Sequence, residues 1–377
     1  MNESALPEMF GRKTKVLFSQ STWIPSSLRW TLLFAVLIVP RVLGGAASAP
    51  ATPQTWFATV GAQSNDKGRQ ALAFLPNEIW IHAGDSITWR FGADEVHTVT
   101  FIPDSGPRPA FQTILGSATA TFDGSTTVSS PGQLLDIPGT TSPAFVRAVP
   151  PKTFTVIFPT AGNFKQVCLF HQNMTGVVHV LPADAPIPHN QDFYDRQAAD
   201  QRRDLLSDRD GRSVAACGEC AAHDSLKARV VTAGIGEISA TAGGTQTLSV
   251  MRFLADQIFI RAGDTVEWTN QDPVDAHTVT FGTAPTGLAL FAPFNASLDP
   301  IGDGALLAVI TPSSPDASSG ILAAAAQDQI GSPQTALGVT RFRATFPNPG
   351  TFPYRCLLHD DLGMKGMVIV FPKVSPQ

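Results

Sequence analysis

The chain of 377 residues is long enough for two domains of ordinary size, each with its own core. Its formal net charge of -5, with no long run of like charge, excludes a general nucleic-acid binder, because that role needs clustered Lys and Arg to neutralise phosphates.

From the N-terminus, residues 1–49 read as a targeting segment. Arg12, Lys13, Lys15 and Arg29 precede the apolar run "WTLLFAVLIVP", and the small residues "GGAASAPA" follow it. The run lies between Arg29 and Arg41 and is too short for a comfortable membrane span. The expectation is a cleaved signal, cut between Ala47 and Ala51, with an uncleaved anchor as the alternative. Such a signal places the protein in the periplasm or outside the cell, touching a membrane only if the anchor is kept.

Residues 50–185 and 227–377 are expected to be two copies of one domain. "FLPNEIWIHAGDSITW" (74–89) matches "FLADQIFIRAGDTVEW" (253–268), and "VHTVTF" (96–101) matches "AHTVTF" (276–281). The match resumes with "FPTAGNFKQVCLFH" against "FPNPGTFPYRCLLH". The period is about 180 residues, so a whole domain is duplicated and not a short solenoid unit. Within each copy the pattern is β. Ile79, Ile81, Ile87 and Trp89 alternate with polar positions around the turn at Ala83, Gly84 and Asp85, which predicts a half-buried hairpin; Ile258, Ile260, Val266 and Trp268 repeat it.

Short strands punctuated by Pro and Gly predict an all-β chain of two tandem Greek-key β-sandwich domains, with antiparallel strands. The inserts at 102–150 and 282–340, rich in Gly, Ser, Pro and Ala, read as loops with room for an extra strand. Residues 186–226 join the copies. There Phe193, Ala198, Leu205 and Leu206 fall near helical spacing amid charges, which predicts one surface helix within 189–213.

Chemistry concentrates at two places. "QVCLFHQNMTGVVHVLP" gathers Cys168, His171 and Met174, and "YRCLLHDDLGMKGMVIVFP" gathers Cys356, His359 and Met364. A thiolate, two imidazoles and a weak thioether suit a trigonal copper site with a long axial Met, and each loop supplies three of these four donors. The fourth is assigned to His97 and His277, the histidines outside the loops that match between copies. His82 aligns with Arg261 and His179 with Ile369, so these two read as surface or strand histidines, while His189 and His223 lie in the connector without counterparts. Cys217 and Cys220 form "CGEC", read as a local disulfide or, with His223, as a transient metal or redox handle; Ala221 excludes a c-type haem attachment.

On these motifs each copy resembles a cupredoxin, the type 1 blue-copper family of plastocyanin, amicyanin and azurin, over most of residues 70–182 and 250–372. The Cys168 to Met174 loop is similar to the short amicyanin loop, and the Cys356 to Met364 loop to the longer plastocyanin one. Gln166 departs from the pattern, since copy two has the more usual aromatic, Tyr354, two residues before its Cys. The resemblance implies two type 1 copper ions per chain, held by His97, Cys168, His171 and Met174 and by His277, Cys356, His359 and Met364, and it implies electron transfer. It also implies that redox partner proteins dock near the loop histidines, on the apolar rims Leu169 and Phe170 or Leu357 and Leu358. Thr98 and Thr278, next to the first His of each set, are candidates to hydrogen-bond the sulfur through their backbones. The alternatives are copper capture, storage or delivery at the cell envelope, and a copper-dependent oxidoreductase. The further copper centres of such enzymes need His-x-His and His-Cys-His clusters, and the sequence contains neither.

Overall fold

The computed structural model describes residues 52–106, 118–130, 152–207, 229–284, 289, 291–324 and 338–373. The expected signal segment, the Cys217, Cys220 and His223 group, and parts of both inserts lie outside the described residues. No helix among the described residues is long and apolar enough to cross a membrane.

The described chain is almost entirely β. Copy one contributes β1 Thr55–Gln63, β2 Arg69–Leu75, β3 Glu78–His82, β4 Ser86–Phe91, β5 Thr100–Phe101, β6 Thr119–Thr121, β7 Val128–Ser129, β8 Thr153–Ile157, β9 Gly162–Val167 and β10 Thr175–Leu181. Helix α1, Gln191–Leu206, follows in the connector. Copy two contributes β11 Arg229–Thr241, β12 Gly244–Leu254, β13 Gln257–Arg261, β14 Asp264–Gln271, β15 Thr280–Phe281, β16 Ser297–Leu298, β17 Leu306–Val309, β18 Ala317–Ser318, β19 Arg341–Phe346, β20 Gly350–Arg355 and β21 Lys365–Phe371. The inserts thus carry several short strands, β6 and β7 in one copy and β16 to β18 in the other.

Each copy is a sandwich of two sheets, as the alternating pattern predicts, but two details differ from that prediction. The turn at Ala83 to Asp85 does not close a hairpin. β3 pairs with β10, while β4 pairs with β1 and β8, so the chain changes sheets at this corner. Ile79, Ile81, Ile87 and Trp89 are all buried, and placing their strands on opposed sheets lets both sets face one core. Asp85 fixes the corner: its carboxylate accepts from Gln54 N at 2.7 Å, His82 N at 2.9 Å and Trp56 Nε1 at 2.9 Å. Copy two turns the same corner between β13 and β14, where Asp264 Oδ2 accepts from Arg261 N at 2.8 Å. The sheets are also mixed and not purely antiparallel, because β1 with β4 and β3 with β10 run parallel. Such pairs follow from crossing over between sheets, since parallel neighbours cannot be joined by a tight turn.

The two copies share a sheet. β2 pairs antiparallel with β12, Leu72 opposite Thr247 and Arg69 opposite Val250, so one face of each sandwich belongs to a single eleven-stranded sheet in the order β16-β17-β19-β14-β11-β12-β2-β1-β4-β8-β6. The other faces are two five-stranded sheets, β3-β10-β9-β5-β7 and β13-β21-β20-β15-β18. Each sandwich has its own apolar core around Trp89 or Trp268, yet Val274 of copy two packs into the core of copy one. Helix α1 lies over β1 and β2, its N-terminus capped by Asn190 Oδ1, which accepts from Phe193 N at 3.0 Å. The residue that anchors α1 is Tyr194, which the spacing argument passed over: it is fully buried, edge-on to Trp56, and its hydroxyl donates to Trp80 O at 3.1 Å.

Candidate metal centres

Strand pairing brings the distant donors together. β5 pairs with β9, Thr100 opposite Val167, which sets His97, just before β5, beside Cys168, just after β9. The loop from Cys168 to Met174 closes on itself as Cys168 N donates to Met174 O at 3.0 Å. In copy two, β15 with β20 does the same for His277 and Cys356, and Cys356 N donates to Met364 O at 3.1 Å. All eight residues are buried, the loop histidines at 3 % and 5 % exposed.

The imidazole and thiol donors converge in both copies. His97 Nδ1 lies 3.1 Å from His171 Nδ1, and Cys168 Sγ lies 3.6 Å from the latter. His277 Nδ1 lies 3.1 Å from His359 Nδ1, and Cys356 Sγ stands 3.9 Å and 3.5 Å from those two nitrogens. Three donors bound to one ion at about 2.0–2.3 Å stand roughly 3.3–3.8 Å apart, so both sets fit a single small ion of the soft, imidazole-accepting kind. Met174 and Met364 are fully buried within the same loops.

The backbone beneath each site is shaped for it. β1 and β11 each carry an irregularity at a glycine, Gly61 at φ +66° and Gly234 at φ +77°. A Cβ there would sit 2.3 Å from His97 Nε2 or 2.0 Å from His277 Nε2, so only glycine admits the rings. Thr98 N donates to Cys168 Sγ at 3.4 Å, and Thr278 N to Cys356 Sγ at 3.3 Å. The hydroxyl of each Thr accepts from the next backbone N–H, Leu169 at 2.8 Å or Leu357 at 2.7 Å, which clamps the loop to the strand.

Electrostatics favour the thiolates. Burial pushes the Cys168 thiol up, but His171 and His97 beside it more than reverse this and hold it well below the usual thiol range. Cys356 is likewise raised by burial and then drawn down to about 5 by His359 and His277. The loop histidines respond in kind: burial alone would lower His359, while Cys356 and Glu95 carry it up to about 10.

Glu95 was not singled out by the sequence reading, and neither was Asp275. Both are buried, and both lie two residues before the first His of their copy. Asp275 Oδ1 is 3.3 Å from His171 Nε2; Glu95 Oε1 is 3.7 Å from the same atom, and Glu95 Oε2 is 3.6 Å from His359 Nε2. The signal was present in the repeat, where "DEVHTVTF" and "VDAHTVTF" keep an acid at the same position. These carboxylates face Nε2 of the loop rings and leave Nδ1 of each facing its sulfur. The loop imidazole edges are buried and turned toward carboxylates that lie between the copies. Phe170 and Leu358 of the rims are half-buried against the cores.

The other histidines among the described residues have their contacts elsewhere. His82 Nε2 meets Ala185 O at 2.7 Å, His179 lies between Asn163 and Glu78 and stacks on Trp80, and His189 stacks on Phe193. Gln166 is buried where Tyr354 in copy two packs against Phe253, Trp268 and Phe281.

Compared with known proteins, the chain matches no family model, and no curated protein matches it. Among solved structures it is similar to the oxidized form of plastocyanin from Dryopteris crassirhizoma, at 20% identity and a TM-score of 0.18, covering 38% of this chain and 99% of that one. It is also similar to a Cu(I) form of an amicyanin mutant, at 16% identity and a TM-score of 0.21, covering 40% of this chain and 89% of that one. Overlays scoring this low carry no argument, so the fold rests on the strand order above, and that order together with two His, Cys, His clusters suits cupredoxin-like sandwiches.

Proposed function

We propose that the protein is an exported electron carrier with one type 1 copper in each sandwich. His97, Cys168, His171 and Met174 hold the first, and His277, Cys356, His359 and Met364 the second. One observation carries this reading: the same closed His, Cys, His geometry is built twice, each time in a buried setting with its donor atoms spaced for one ion. Copper, when bound, would supply a one-electron couple.

The chain's own residues do the rest. The thiols are drawn toward thiolates, the loop imidazoles turn Nδ1 to the sulfur and Nε2 to the buried carboxylates, and the Thr98 and Thr278 amides donate to the sulfurs. Close packing of the donors between strands resists rearrangement when the charge of the site changes, as an electron carrier requires. Partner docking belongs, on this reading, at the half-buried rims and not at the imidazole edges.

Purified mature protein should bind two copper ions per chain and show an intense visible thiolate-to-Cu(II) band that bleaches reversibly on reduction. Cys168→Ser and Cys356→Ser should each retain one copper. Absence of the band overturns the carrier reading. Rapid exchange of copper with a chelator would favour delivery, and turnover of oxygen or nitrite an enzyme.

A further inference from the structure

The cluster between the copies is explained by neither site alone. A buried carboxylate is costly unless cations or N–H donors face it, and Glu95 at 7 % exposed has one imidazole on each oxygen. Those imidazoles are the loop histidines of different sites. With Nδ1 of each turned to its own Cys, a single carboxylate group separates the edge of one centre from the edge of the other. Asp275, in the matching position of copy two, also meets His171, its Oδ1 3.3 Å from the same Nε2 that faces Glu95. The arrangement is rigid, because β2 and β12 lock the copies into one sheet and Val274, next to Asp275, is seated in the core of copy one.

We propose that the two centres exchange an electron within the chain along His171, Glu95 and His359, with Glu95 as the positioning residue shared by both. This rests on the copper reading above. In the exchange Cu(I) at one site is oxidised to Cu(II) and Cu(II) at the other is reduced to Cu(I); no bond is made or broken and no proton leaves. The two oxidised sites, each one charge more positive than when reduced, face two carboxylates, so the shared acid stabilises the oxidised form of both. The first electron comes from an external one-electron reductant.

Two measurements on copper-loaded protein test this. In the single-site backgrounds Cys168→Ser and Cys356→Ser, adding Glu95→Gln should raise the midpoint potential of whichever copper is left, since one anion serves both; a shift confined to one background, or absent from both, overturns the shared role. In the two-copper protein, pulsed reduction with less than one electron per chain should be followed by redistribution between sites at a rate independent of protein concentration, read by visible spectra and freeze-quench EPR calibrated on the single-site variants. Glu95→Gln should slow that phase, because it removes the anion that holds both ring edges in place. Redistribution whose rate rises in proportion to protein concentration, or is unchanged by Glu95→Gln, overturns the path while leaving the copper sites standing. A wild type with no thiolate-to-copper band overturns both.

Discussion

Gly61 and Gly234 show how little freedom the sites allow at single positions. Both have φ in the left-handed region, and both lie under a ring nitrogen that any side chain would strike. Gly61→Ala should cost about 1–3 kcal/mol from backbone strain and displace His97, so that the variant binds one copper in place of two; Gly234→Ala should do the same for the second site. Copper analysis beside thermal melts checks both, and a variant that keeps two coppers at wild-type stability contradicts the account. Thr98→Val is milder. It removes the hydroxyl that accepts from Leu169 N but keeps the backbone bond to Cys168, so the visible band should persist while stability falls by about 1 kcal/mol in urea titration. At this scale the residues that converge were legible in the sequence, because a duplicated pattern of Cys and His separates the two His, Cys, His clusters from the unmatched histidines. The glycines were not, since a close approach between β1 and His97 exists only after folding.

Among the elements, β19 shows a charge held by its surroundings. Arg343 on this strand donates to Glu267 on β14 at 2.7 Å, to Asp299 at 2.9 Å and twice to Asp303, at 3.0 and 2.5 Å, tying the β16–β17 turn to the sheet. Hydrogen bonds from Ile301 N and Arg343 hold the Asp299 carboxyl below its usual value, and Arg343 does the same for Asp303. Carboxylates depressed in the folded state add stability above the ordinary carboxylate range, and that contribution is lost as pH falls through their lowered values. Arg343→Met should therefore lower Tm at neutral pH, and the gap from wild type should narrow below about pH 4. A pH series of melts decides it; a gap that widens in acid would count against the network. The periodicity revealed β3, β4, β13 and β14 but assigned them to hairpins, because alternation reports which face is buried and not which strand lies alongside.

Among the described residues the two copies are joined through one shared sheet and are not independent sandwiches. The shared β2–β12 ladder and the seating of Val274 in the first core predict that the metal-free protein melts in a single calorimetric transition. Two resolved transitions would contradict this. Val274→Ala, a change in copy two, should cost about 1–2 kcal/mol through the core of copy one, and lower copper retention at Cys168 in the Cys356→Ser background. The close union also accounts for the inward-facing loop histidines, since the ladder sets the two sandwiches with their His171 and His359 edges on the same buried acid.

By itself the sequence determined the duplication, the β class, the connector helix and the residues of the two His, Cys, His clusters, all of which depend on local pattern or on comparing one copy with the other. Tertiary structure alone decided how the copies sit together: which strand edges pair, that Val274 crosses into the other core, and that Glu95 and Asp275 meet the histidines of both sites. The physical reason is that hydrophobic period and ligand spacing are written along the chain, whereas edge pairing and a buried carboxylate between domains depend on surfaces that come into being only when both sandwiches have formed.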